Sequence, residues 1–235
     1  MTRALSTSKV QLSARNVLLA VVAAAVLTGC GTHPGAAAVV GDQRISADEV
    51  DEAAAALCSS TVAGAEAQGQ PRPELASRGA RQAAIQLILD SELTRQFAED
   101  EGLEANQQAI SAALQQNAQA IQVLPADQRG VFRELFTAFQ ESQVLLDEAG
   151  TRSLAAQGNG APAPEEAAAE GARLRAEWAA GIEVEVDPRY GTFEGGAVVP
   201  SSGSLSIPTS QRARQGAADQ PDAEWTAGLP LSQKC

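Results

Sequence analysis

The sequence predicts a mainly α fold: long antiparallel helices with a small β-hairpin, one returning strand and an irregular C-terminal tail. Three observations predict it. Residues of the set AVILMFWYC make up 44% of the chain, but 48 of its 235 residues are Ala and only 3% are aromatic. That supply of small side chains favours helix over strand. Apolar residues recur at helical spacing in three long stretches after residue 73, and strict apolar–polar alternation occurs in Ile182-Glu183-Val184-Glu185-Val186. A chain of this length holds one domain, or one domain with appendages.

Residues 1–16 are polar and carry Arg3, Lys9 and Arg15. Val17 to Leu27 is an unbroken apolar run of eleven. It falls short of the roughly 20 residues a membrane-spanning helix needs and has the length of a signal-peptide core. The run ends in Leu27-Thr28-Gly29-Cys30, which resembles the bacterial lipobox. The resemblance implies a signal peptide over residues 1–29, a lipidated Cys30 and a tether over residues 30–36. The protein is then expected at the cell membrane, lipid-anchored and facing the extracytoplasmic side. Each buried CH₂ contributes roughly 0.8 kcal/mol, so two or three acyl chains hold a soluble domain durably.

The formal charge is −12, and without residues 1–29 the balance is 14 basic against 29 acidic residues. Such a surface disfavours a nucleic-acid partner, because phosphate binding needs Lys and Arg. His33 is the one histidine. It stands in the tether segment, which removes Ser/His/Asp triads and two-histidine zinc sites from the expected repertoire. No phosphate loop, Cys-x-x-Cys or metal-spaced cluster occurs, so no cofactor and no metal are expected.

Cys58 and Cys235 remain. Export places both where disulfides persist, and a bond between them would stabilise by about 5 kcal/mol in the loop-entropy model. The alternative is a buried thiol at Cys58 and a free thiol at Cys235.

Ala37 to Ile45 reads as a tiny hairpin, with Gly41-Asp42 as a two-residue turn of type II′. Ser46-Ala47-Asp48-Glu49 has capping-box spacing, flanked by Ile45 and Val50 at the staple positions, and opens a helix over residues 47–61. Residues 63–73 form a linker. A long helix over residues 74–101 carries Ile85, Leu89, Leu93 and Phe97 at four-residue intervals and stops at Gly102. Asn106 caps the next helix, which Pro125 ends. A third long helix runs from Asp127 past Glu148 with Phe132, Leu135, Phe136 and Phe139 on one side. Residues 150–164 read as a fraying end and a linker. A helix over residues 165–180 and the strand at 182–186 follow, and residues 194–235 read as irregular, held by Trp225 and Cys235.

Two segments carry a resemblance to the SurA/PrsA group of exported chaperones. Val39-Val40-Gly41-Asp42-Gln43-Arg44-Ile45-Ser46, followed by Glu49-Val50, is similar to the group's opening Val-Val-Asn-Gly-x-x-Ile-Thr-x-x-Glu-Val, with Gly41-Asp42 in place of Asn-Gly. Val184 to Phe193 (VEVDPRYGTF) resembles the segment by which the last strand leaves the chaperone domain. The resemblance covers residues 37–193 and implies a SurA N-terminal-like peptide-binding domain. In that group a parvulin prolyl isomerase is inserted before the final helix. Residues 150–164 occupy that place here, and a folded domain needs on the order of 50 residues, so a non-catalytic chaperone domain is expected. Gly195-Gly196 is discounted as a parvulin glycine pair because it stands elsewhere.

The function expected is capture of unfolded or nascent exported polypeptides in an apolar helical cradle. Phe97, Phe132, Leu135, Phe136 and Phe139 are the candidate contacts, although an apolar stripe at helical spacing also suits a core. An envelope scaffold that binds one folded partner is the alternative, and a residual prolyl isomerase a further one. The carboxylates at Asp48, Glu49, Asp51 and Glu52 complement the start of a helix dipole. No aromatic pocket accompanies them for glycosidase chemistry.

Overall fold

A computed structural model of the chain describes residues 34–158, 160–199, 207–218 and 221–235. The apolar run expected as a signal-peptide core, the lipobox-like segment with Cys30, and His33 lie outside the described residues. From Gly35 onward the chain forms one compact unit.

That unit opens with β1 (Ala36–Val40) and β2 (Gln43–Ser46), paired antiparallel with Val40 opposite Gln43. Gly41 sits at φ 56° while Asp42 keeps a negative φ, as the type II′ turn requires. Helix α1 (Ala47–Ala67) follows at once. Ser46 is extended (φ −82°, ψ 156°), and its Oγ accepts from the Glu49 amide at 3.1 Å. This bond satisfies one of the helix's orphan donors and fixes where the chain turns from strand to helix. α1 runs past the expected stop near residue 61, because the Ala-rich stretch beyond it holds helix through Gly64.

Helix α2 (Ser77–Glu101) is the spine. Ile85, Leu89 and Leu93 are fully buried, and each contributes roughly 1.5–3 kcal/mol of apolar burial. They meet Ala37, Val40, Ile45, Val50 and Ala54 in one core. The polar positions of the same helix hold two strands and a turn: the Gln82 side-chain amide donates to the Tyr190 carbonyl (3.1 Å), Gln96 donates to the Val40 carbonyl (3.2 Å), and Gln86 Oε1 accepts from the Val198 amide (2.7 Å).

Two short helices, α3 (Gln107–Gln116) and α4 (Ala118–Gln122), lead to the long α5 (Arg129–Ala156). Asn106 caps α3, its Oδ1 accepting from Gln108 and Ala109 at 3.1 and 3.2 Å. α5 continues well into residues 150–164, so that segment is half helix and not a linker. The reason is tertiary. Helix α6 (Pro164–Ala179) returns along α5 with the two backbones touching, and Gly150 and Gly171 are the points of contact. Arg175 on α6 then reaches Asp90 on α2 at 3.2 Å.

Strand β3 (Val184–Val186) pairs antiparallel with β1, giving a sheet of order β2-β1-β3. The irregular tail expected from residue 194 onward is instead partly ordered. β4 (Thr192–Glu194) and β5 (Ala197–Val199) form a second hairpin. Gly195 and Gly196, both at positive φ (61° and 86°), make its two-residue turn, a type I′ geometry that side chains resist. Two short helices, α7 (Gln211–Gly216) and α8 (Ala223–Ala227), fold back onto the start of α2. There Arg78 donates to the carbonyls of Gly216 and Ala218, and the Cys235 amide donates to the Leu75 carbonyl at 2.9 Å. Cys58 on α1 and Cys235 are bonded, with their Cα atoms 5.3 Å apart.

Candidate functional site

A groove of about 450 Å³ is bordered by β2, α1, α2 and α5. Its position follows from the Ser46 cap. Because α1 starts directly after β2, Ile45 at the strand end and Glu49, Glu52 and Ala53 on the first turns share one side. From α2 come Ile88, Ser91, Glu92 and Arg95, which is helical spacing along one face. From α5 come Val131, Leu135, Ala138, Ser142 and Leu145, a stripe of the same kind.

The floor is apolar. Ile45, Ala53 and Leu145 are buried beneath it, and Ile88 and Leu135 are half-buried and pack on the core. The groove stays open because α1 and α5 present alanines here, Ala53 and Ala138, where larger side chains would close the gap. The Ser142 hydroxyl is satisfied within its own helix by the Ala138 carbonyl at 2.9 Å.

The rim is charged and mostly acidic, with Glu49, Glu52, Glu92, Glu134 and Glu141 against Arg44 and Arg95. Arg95 is neutralised locally: it reaches Glu92 at 2.6 Å and also bonds Glu99. Those bonds, to Glu92 first, hold the guanidinium pKa above its ordinary value. Gln96 donates a further bond to Glu92 at 2.6 Å. Glu49, Glu52, Glu134 and Glu141 form no ion pair among the described residues. The arrangement therefore offers apolar contact below and an excess of negative charge above.

Of the five side chains expected as peptide contacts, Leu135 alone lines this groove. Phe97 is a core residue, 3% exposed, with its ring 5.9 Å from that of Trp178. The returning helix α6 covers the face of α2 that a bare stripe would leave open, so Phe97 leaves the contact set. Phe132 and Phe136 stack on each other at 6.4 Å and 11° on a different face of α5. Phe139 is 38% exposed and also lies off the groove. The residues missed were Ile45, Ile88, Ala138, Leu145 and the acidic rim. A signal was present in the α5 stripe from Val131 to Leu145, which runs beside the more conspicuous phenylalanines.

Elsewhere, three guanidiniums gather near Tyr190, but each is engaged. Arg81 pairs with Asp51, Arg78 holds the tail carbonyls, and Arg189 pairs with Asp187 at 2.9 Å. The Arg189 bond keeps the Asp187 carboxyl below its usual range, and burial pushes the Tyr190 phenol up.

Fold and groove together define a mainly α domain closed by a small antiparallel sheet. Residues 1–148 match the family model described as the SurA-like N-terminal domain, and the chain belongs to that family. Membership points to a chaperone-related role. No curated protein and no solved structure matches the chain.

Proposed function

We propose that this protein is a membrane-anchored, extracytoplasmic chaperone-like protein that holds unfolded or extended segments of exported polypeptides without catalysis. The observation that carries the reading is the apolar-floored groove between β2, α1, α2 and α5, set in a SurA-like domain. Non-directional apolar contact at roughly 25 cal/mol per Å² suits clients of many sequences. In this reading residues 1–29 are the signal peptide, Cys30 carries the lipid, residues 30–36 are the tether and residues 37–193 are the holding domain. The segment before α6 stands where the related chaperones carry an isomerase.

The test is aggregation of a chemically denatured client in the presence of the protein. Near-stoichiometric amounts are expected to suppress light scattering, and Ala138→Trp, which fills the groove, is expected to abolish the effect while the helical circular dichroism is retained. Undiminished scattering with folded wild-type protein would overturn the reading. For the anchor, Cys30→Ser is expected to move the protein from the membrane fraction to the soluble one and to stop lipid incorporation. Unchanged fractionation and labelling would refute lipidation at Cys30.

A further inference from the structure

Several acidic side chains on the helices near the groove are already answered by a cation. Arg95 takes Glu92 and Glu99, Arg173 takes Glu170 and Glu177, Arg175 takes Asp90, and Arg81 takes Asp51. Glu49 and Glu52 on α1 and Glu134 and Glu141 on α5, like Asp48, Glu66, Asp147 and Glu148 on the same helices, have no ion pair among the described residues, and these four glutamates line one groove from two different helices. Glu134 and Glu141 are seven residues apart, which puts them on one face of α5, about 10 Å apart along its axis. With Arg44 and Arg95 also on the rim, five glutamates leave it net negative, and a predominance of one sign of charge over apolar walls concentrates the potential inside a cleft.

We infer that the groove selects cationic segments: stretches of unfolded polypeptide in which Lys or Arg alternate with apolar side chains. The inference rests on the holding function proposed above and names the class of segment held. Apolar side chains meet Ile45, Ile88, Leu135 and Leu145 on the floor while the intervening cations meet the four carboxylates on the rim. The groove follows α5 from Val131 to Leu145, about 21 Å at 1.5 Å per residue. An extended segment covers that length with about six residues at 3.3–3.4 Å each. Alternation at period two turns apolar and charged side chains to opposite sides, which the floor and rim require. A second copy of the chain is a poor occupant, since its own charge is −12.

The probe is one fluorescein-labelled, end-capped octapeptide frame with Leu at alternate positions and Lys, Ser or Glu at the other four. Binding to the purified chain from Cys30 onward, carrying Cys30→Ser, is read by anisotropy. The Lys peptide is expected to bind about tenfold more tightly than the Ser peptide at 20 mM NaCl, and within about twofold of it at 500 mM, as the screening length contracts. The Glu peptide is expected not to bind. Glu134→Gln with Glu141→Gln should narrow the Lys-to-Ser ratio to about threefold. If that variant fails to fold, the wild-type salt series decides the same question. Equal binding of the Lys and Ser peptides at low salt overturns the selectivity and leaves the groove intact. No binding of any peptide overturns both. A concentration-dependent dimer by light scattering, dispersed by the double variant, would assign the groove to a second copy and also overturn the inference.

Discussion

The contact between α5 and α6 gives a prediction with an unusual sign. Alanine normally stabilises a helix relative to glycine by up to about 1 kcal/mol. At Gly171 the added Cβ would lie 1.9 Å from the Leu146 carbonyl oxygen and 2.6 Å from its carbon. At Gly150 it would lie 1.8 Å from the Ala167 carbonyl oxygen. Real Cβ contacts begin above 3.0 Å, so α6 must retreat by more than 1 Å. The obstacle is backbone, which no rotamer change removes. Retreat loosens Leu146, Ala149 and Ala167, all buried at the seam. Overpacking typically costs 1–3 kcal/mol, and a backbone obstacle puts Gly171→Ala near the upper end. Less the propensity gain, the net loss is about 2 kcal/mol. Gly64 in α1 has nothing within 4 Å of its would-be Cβ, so Gly64→Ala should gain up to about 1 kcal/mol. Urea titrations and thermal melts followed by circular dichroism at 222 nm read both. The Tm should fall by about 4–8 °C for Gly171→Ala and rise by about 2–4 °C for Gly64→Ala. Wild-type stability or better in Gly171→Ala would refute the close approach of the two helices.

Other perturbations test other joints of the fold. Cys235→Ser removes a crosslink spanning 177 residues and should lower stability by up to about 5 kcal/mol on the loop-entropy scale; thermal melts under non-reducing conditions check it, and an unchanged Tm would contradict a stabilising bond. Ser46→Ala deletes the cap on the Glu49 amide and should cost about 1 kcal/mol by denaturant titration. Hydrogen bonds from Arg173, then from Ser153 at 2.7 Å, hold the Glu170 carboxyl at about 2 against an ordinary 4.5. Its folded value lies below its unfolded one, so its contribution is complete above pH 4.5 and disappears as pH falls toward 2. Glu170→Gln should therefore flatten the stability profile over that window, and parallel acid-unfolding curves for both proteins would count against the assignment.

Local chemistry was legible in the sequence and tertiary choice was not. The Gly41-Asp42 turn, the Ser46 and Asn106 caps and the helix stop at Gly102 each depend on a few neighbouring residues, and each sits where the sequence puts it. Gly150 reads as a helix end because glycine weakens an isolated helix. Only the α6 backbone lying against it explains why α5 continues to Ala156. Phe97 and Leu135 occupy equivalent positions in two similar stripes. One is core and the other lines a groove because α6 covers the first and nothing described covers the second. The groove itself depends on two alanines, Ala53 and Ala138, that no periodicity distinguishes from the many others. The tail looked irregular because its order depends on acceptors for Arg78 and on an anchor for Cys235, neither of which is near in sequence.

The sheet carries a consequence for how the molecule assembles. β1 is its middle strand, yet its second neighbour, β3, lies more than 140 residues further along the chain. During vectorial emergence the N-terminal hairpin must wait with one edge unsatisfied until Val184–Val186 arrives. Closing so distant a pairing is entropically late and slow. Sheet completion is thus a checkpoint at the end of folding. A chain stalled before it would display the very kind of unpaired strand edge that makes partly folded proteins associate.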